Sequence, residues 1–396
     1  MIDSDKADKA SEDAANLLLR IAVAAAFVAT PFLQLFSQRA IFILPPIAGA
    51  LILAAGVTLA PRLDMRDIFA FLLSPLGLAA SFLSFWMLLS LLWTPFPMEA
   101  ATRLIKSLLT LACVLPAIAS LPARTRAANL YFLPLGVALT AVAALIFSAP
   151  GLPGGGETAA GENLSIGMEA AFLLLWPALA ATHLRGRATL SAALVIVAVA
   201  AAVSVPTPGA VGAAALAAAT LAFAWRDPQL VGLWLGRLGA ASFLLAPLAP
   251  ILLNLRTGPD APAWLVSLKF WRWMIASDGA RVITGHGYHF VNSGLWRGYI
   301  PPQAPHSMLF EAWTDLGLVG AAATAVLIRL AYKAAADQSR RLAPFWIGAL
   351  TYVLAMGLFG LATTQAWWIT MLALGLTAFA FVTRADYKTA RPSAPR

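Results

Sequence analysis

The sequence predicts an all-α polytopic membrane protein with about 12 transmembrane helices and one large periplasmic loop containing interfacial helices. Three observations carry this expectation. Hydrophobic residues make up 60% of the 396 residues and charged residues only 11%, with a mean hydropathy of +0.80, so little polar surface exists to cover a soluble globule. Apolar runs of about 18 or more residues recur along the chain, each long enough to cross a bilayer as a helix. Basic residues collect in alternate connections between those runs.

The runs place spans at Asn16–Phe36, Ala40–Ala60, Ile68–Trp93, Leu104–Leu121, Ala128–Phe147 and Gly167–Leu184 in the first half. The second half adds Ala188–Val205, Gly209–Trp225, Leu233–Leu253, Ser307–Leu330, Ala343–Ala362 and Trp367–Val382. The Ala/Gly-rich pair around "SVPTPGAVG" also reads as one broken element. The order is a tail over 1–15, helices one to nine over 16–253, the loop over 254–306, helices ten to twelve over 307–383 and a tail over 384–396.

Arg62 and Arg66 follow the second span, Arg124 and Arg126 the fourth, Arg185 and Arg187 the sixth, and Arg226 the eighth. Lys333, Arg340 and Arg341 follow the tenth, and Arg384, Lys388 and Arg391 the last. The positive-inside rule then puts both tails in the cytoplasm. The net charge of +9 becomes a signature of topology and of contact with membrane lipids, not of nucleic-acid binding. The polar start "MIDSDKADKASEDAAN" lacks the basic character of a signal peptide, so the first span reads as a retained anchor. The single cysteine, Cys113, falls inside a span, which excludes an internal disulfide and a cysteine-rich metal site.

Polar chemistry gathers between Asn254 and Pro305, a connection far longer than most. "AWLVSLKFWRWMIAS" has helical apolar spacing and carries Lys269 and Arg272 one turn apart. Two readings of that pair stand: cations anchoring an interfacial helix, or a cationic site for a lipid-linked phosphate. Arg256, Arg281, Arg297 and Arg103, the last from the outer loop before the fourth span, would join such a site. In "ITGHGYHFVNSG" the two histidines His286 and His289 lie three apart, but in a glycine-flanked, loop-like setting without a nearby carboxylate, so no metal is expected. Gly285 and Gly287 suit a tight turn or a close backbone approach.

The tenth span opens "PHSMLFEAWTDLGLVG". Pro305 pre-organises a helix start near His306 or Ser307. Glu311 and Asp315, four apart, share a helical face, and inside a span they need a cationic partner such as Arg103. His306 is either an interfacial structural histidine or a proton acceptor near neutral pH.

His306, Ser307, Gly317 and Gly320 fit a His-[Asn/Ser/Gln]-x9-GxxG pattern, and here the chain resembles the bacterial O-antigen ligase and O-antigen polymerase superfamily, which includes the protein O-oligosaccharyltransferases. "KFWRWMIASDGARVITGHGYHF" is similar to that family's Arg…Trp helix and Gly-x-Gly turn, and the span layout agrees. The chain departs from the family at Pro208, where an Arg is expected, and at Lys269, where the family's loop-helix Arg aligns.

The resemblance implies a periplasmic glycosyltransferase that moves a glycan from undecaprenyl pyrophosphate onto an acceptor hydroxyl, with lipid A–core as the favoured acceptor and no cofactor. It implies His306 as the base or acceptor-orienting group, Lys269, Arg272, Arg281 and Arg103 as pyrophosphate ligands, and the remaining motif residues in support. An O-antigen or exopolysaccharide polymerase is the alternative within the family. A lipid-glycan transporter is the alternative outside it, with a site at mid-membrane between repeated halves; the two halves show no such symmetry.

Overall fold

The computed structural model describes residues 2–59, 65–122, 127–148, 158–205, 207–252, 262–305, 307–359 and 366–386, and every regular element among them is helical. The first half runs α1 (Ile2–Ala24), a π-helical segment (Ala25–Ala29), α2 (Thr30–Gln34), α3 (Ala40–Leu59), α4 (Met65–Leu73), α5 (Pro75–Ser90) and α6 (Pro97–Ala119). A 3-10 turn (Ala127–Tyr131) then leads to α7 (Phe132–Phe147), α8 (Thr158–Leu184) and α9 (Ala188–Ser204). The second half holds α10 (Pro208–Ala224), α11 (Pro228–Leu245), α12 (Leu248–Leu252), α13 (Ala263–Ser277), α14 (Arg281–Thr284), α15 (Phe290–Trp296), α16 (Met308–Ala336), α17 (Ala343–Phe359) and α18 (Ala366–Ala385).

Among the described residues, seven helical stretches are long and apolar enough to cross a membrane: Lys9–Gln34, Ala40–Leu59, Pro97–Ala119, Ala128–Phe147, Gly161–Leu184, Met308–Ala336 and Trp367–Ala385. Pro75–Ser90, Ala188–Ser204, Gly209–Ala224 and Ala343–Leu358 are shorter apolar helices. This is the pattern of a multi-pass helical membrane protein.

Several expected boundaries are corrected, mostly by proline and glycine. The polar start expected as a tail is helical from Ile2, in keeping with its Ala, Lys and Glu content. The first span is interrupted at Ala25–Ala29, because Pro31 has no N–H for the Phe27 carbonyl. There the Thr30 N–H and hydroxyl both turn back to the Ala25 carbonyl.

The third span is two helices. Pro75 leaves the Phe71 carbonyl without its helical donor, and the Ser74 hydroxyl donates to it at 2.6 Å while accepting from Gly77 N at 3.1 Å. The fourth span starts at Pro97, seven residues before Leu104, which puts Arg103 inside α6 rather than in a preceding loop. The ninth stops at Leu245: Pro247 cannot donate to the Phe243 carbonyl, and Trp313 Nε1 does so instead at 2.6 Å. The tenth is broken at Gly317, whose φ of 67° and ψ of −164° are not helical. The chain around "SVPTPGAVG" forms two separate helices, α9 and α10.

The chain divides into two compact units. The first comprises Met1–Asp64, Ala112–Thr207 and Met371–Arg396. At its centre α8 is largely apolar and buried on nearly every side, with Met168, Ala170, Leu174 and Ala178 fully enclosed. A side chain at Gly136 on α7 would collide with the Phe27 carbonyl that Pro31 leaves free.

The second unit comprises Met65–Leu111 and Pro208–Thr370 and holds all the candidate site residues. Gly232, Gly236 and Gly239 let α11 lie close on α16, where small residues favour tight helix association in a membrane. Helix α13 coincides with the helix expected from "AWLVSLKFWRWMIAS". Its inner face is held by the core, since buried Trp271 packs edge-on against Phe310 of α16 at 5.5 Å between centroids.

A Cβ at Gly232 would lie 2.8 Å from Ala336 Cβ and 3.1 Å from the Tyr332 carbonyl. Gly232→Val is therefore expected to force α11 off α16 and cost about 1–3 kcal/mol, read as a lower melting temperature of the detergent-solubilised protein. Gly212→Ala, where a methyl meets open space, serves as the unshifted control.

Candidate functional site

The site is built around the break in α16. A helix interrupted inside a membrane protein leaves carbonyls that must be satisfied internally, and here three are. The Thr314 carbonyl accepts from His286 N at 2.8 Å, and the Asp315 carbonyl from Gly287 N at 2.9 Å. Trp86 Nε1 of α5 donates to the Leu316 carbonyl at 2.9 Å.

The turn that supplies two of these donors fits only because it is glycine-rich. Gly285 has φ 73° and Gly287 φ 102°. Side chains there would strike the Asp315 backbone and Thr94, respectively, and one at Gly317 would strike the Ile283 carbonyl. Gly320 sits against the Leu316 side chain across the break.

Asp315 is 3% exposed, and its carboxylate caps α15. Oδ2 accepts from His289 N and Oδ1 from Val291 N, both at 2.9 Å. Its hydrogen-bond partners are thus backbone amides, where the sequence suggests a cation. The cap holds His289 at φ 68°, ψ 14°; among the described residues it is the one non-glycine with positive φ, at a cost of about 1–2 kcal/mol for an L side chain.

Glu311 is also buried, at 4% exposure, and lies within electrostatic reach of Arg103 and Tyr288. Arg103, half-buried on α6, also acts on His289. At the rim Glu99 forms an ion pair with Arg297, whose guanidinium lies 5.2 Å from the centre of the Phe96 ring. Two buried nitrogens of this cluster have no hydrogen-bond partner among the described residues, Arg103 Nε and His289 Nδ1.

The imidazoles are held uncharged. Burial pushes His289 down to about 4, helped by the Arg103 charge and opposed by Glu99. His286 is lowered by burial too; its Nδ1–H donates to the Thr314 carbonyl at 3.1 Å, and its ring stacks on Phe290 at 4.7 Å. Burial pushes the Tyr288 phenol up to about 12, against the opposing pull of Arg103.

The remaining expected residues lie on separate elements. Lys269 and Arg272 stand on the exposed face of α13. Arg281 opens α14, 4.0 Å from Asp278, which also lies 3.8 Å from His286 Nε2. Ser307 caps α16, its hydroxyl accepting from Phe310 N at 3.3 Å. His306 and Arg256 lie outside the described residues.

Sequence reasoning did not single out Glu99, Trp86, Trp313 or His289 as partners of the motif. The one available signal was the pairing of prolines and glycines that free carbonyls with tryptophans that donate to them.

No protein-family model matches the chain, and no curated protein matches it.

Asp315→Ala would leave two amides unpaired and is expected to cost about 2–4 kcal/mol, with Asp315→Asn intermediate, read in thermal denaturation. His289 gives a pH dependence. Between pH 6.5 and about 4 the unfolded chain binds a proton at this imidazole that the folded chain refuses, so stability falls as pH falls through that window. His289→Asn is expected to flatten that part of the stability–pH curve.

Proposed function

We propose that the protein is a membrane glycosyltransferase that moves a glycan from undecaprenyl pyrophosphate onto an acceptor hydroxyl, with lipid A–core as the acceptor, as in the O-antigen ligases. One observation carries the reading. The two segments that bear the family resemblance, Gly285–Gly287 and Gly317–Gly320, are remote in sequence yet interlock through hydrogen bonds and glycine-only clearances. A half-buried arginine and two uncharged histidines stand beside that interlock.

In the proposed reaction the acceptor oxygen attacks the anomeric carbon of the reducing-end sugar. The new C–O bond forms as the bond to phosphate breaks, and undecaprenyl pyrophosphate leaves with the electron pair. His306, next to the Ser307 cap, takes the hydroxyl proton. Pyrophosphate is already a competent leaving group, so the enzyme's task is positioning and charge stabilisation. Arg103 is the buried cation suited to that task, while Lys269, Arg272 and Arg281 serve the entering lipid phosphate from the more exposed elements.

His306→Ala is expected to lower transfer by about 10²–10⁴-fold. The check is an envelope glycolipid gel of a deletion strain carrying wild type or the variant. Bare core with lipid-linked polymer accumulating supports the ligase reading. Core bearing a single repeat turns it into a polymerase, and an unchanged ladder in the deletion strain refutes both.

A further inference from the structure

We propose that His289 is a sugar-recognition residue, whose imidazole hydrogen-bonds a hydroxyl of the first sugar on the lipid-linked glycan, next to a phosphate held by Arg103. The inference rests on the glycan-transfer reading above and adds a specificity determinant to it.

Four observations converge on this residue. Its backbone adopts a left-handed conformation that glycine or asparagine takes more easily, in a turn that already uses glycine at Gly285 and Gly287. A side chain kept at such a position has a use that offsets the strain. Its Nδ1 is buried and lacks a partner among the described residues, which is rare for a polar atom unless a ligand or water completes it. Arg103 Nε is buried and unpartnered in the same way.

The imidazole also remains uncharged well below neutral pH. It is therefore a poor partner for an anionic phosphate oxygen and a poor proton shuttle at pH 7. A neutral imidazole accepts at one nitrogen and donates at the other, and a hydroxyl does both, so the match holds for either tautomer. The Arg103 charge acts directly on this ring. In the donor the first sugar is bonded to phosphate through its anomeric carbon. A residue beside a phosphate-binding guanidinium therefore meets that sugar before any other part of the glycan.

The test uses the full chain in lipid nanodiscs and two probes, undecaprenyl pyrophosphate and undecaprenyl pyrophosphate carrying N-acetylglucosamine, with binding read by native mass spectrometry. Wild type is expected to hold the sugar-bearing lipid roughly five- to tenfold more tightly, about the worth of one hydrogen bond. His289→Asn and His289→Gly both keep the left-handed backbone and are expected to bind the bare lipid as wild type does. His289→Gly, which has no side-chain hydrogen-bonding group, is expected to erase the preference, and His289→Asn, whose amide also donates and accepts, to reduce it.

Retention of the preference in both variants overturns the proposal, as does equal binding of the two probes by wild type. Loss of bare-lipid binding in both variants overturns it in favour of a structural or phosphate-binding role. Wild type that holds neither lipid refutes the glycan-transfer reading itself, and this inference with it.

Discussion

The second unit depends on how the break in α16 is satisfied. Gly317 ends the first helical segment inside an apolar unit, and the freed carbonyls of Thr314, Asp315 and Leu316 draw in His286 N, Gly287 N and Trp86 Nε1. The Asp315 carboxylate completes the exchange by capping α15 through His289 N and Val291 N. Donors from the loop satisfy the helix, and an acceptor from the helix satisfies the loop. Neither segment could hold its shape alone in a medium without water to fill the gaps.

The same economy recurs at the prolines. Each imino acid deletes one helical donor. The orphaned carbonyl is met by the Ser74 hydroxyl at Phe71 and by the Trp313 indole at Phe243. Trp86 and Trp313 thus act as remote helix caps as well as apolar bulk, so their indole nitrogens tie α5 and α11 to α16. This accounts for tryptophan at those places, where phenylalanine would fill similar space and leave the carbonyl bare.

Charge is distributed to match. Arg103 is withdrawn into the cluster with Glu311, Tyr288 and His289, whereas Lys269, Arg272 and Arg281 stand on α13 and α14. Burial, helped by the charge of the half-buried Arg103, depresses the His289 imidazole beside it.

The helical class, the loop helix Ala263–Ser277, the glycine turn and a helix start near Ser307 were legible from the sequence. Each depends on local rules: apolar periodicity, the φ freedom of glycine and the fixed φ of Pro305. The partners of those features were not legible. Asp315 looked like half of an acidic pair awaiting a cation, and only the fold shows its oxygens on two backbone amides. Arg103 looked like a loop residue because the first two turns of α6, which carry Glu99, Thr102 and Arg103, are too polar to score as a span, although they are helical. By itself the sequence determined where helical donors go missing, at Pro31, Pro75 and Pro247, and at Pro75 it also supplied the local substitute, the Ser74 hydroxyl. Tertiary structure alone decided that Gly317 breaks α16 and that Trp313 and Trp86 reach the carbonyls of Phe243 and Leu316, because those donors are remote in sequence and only packing brings them within about 3 Å.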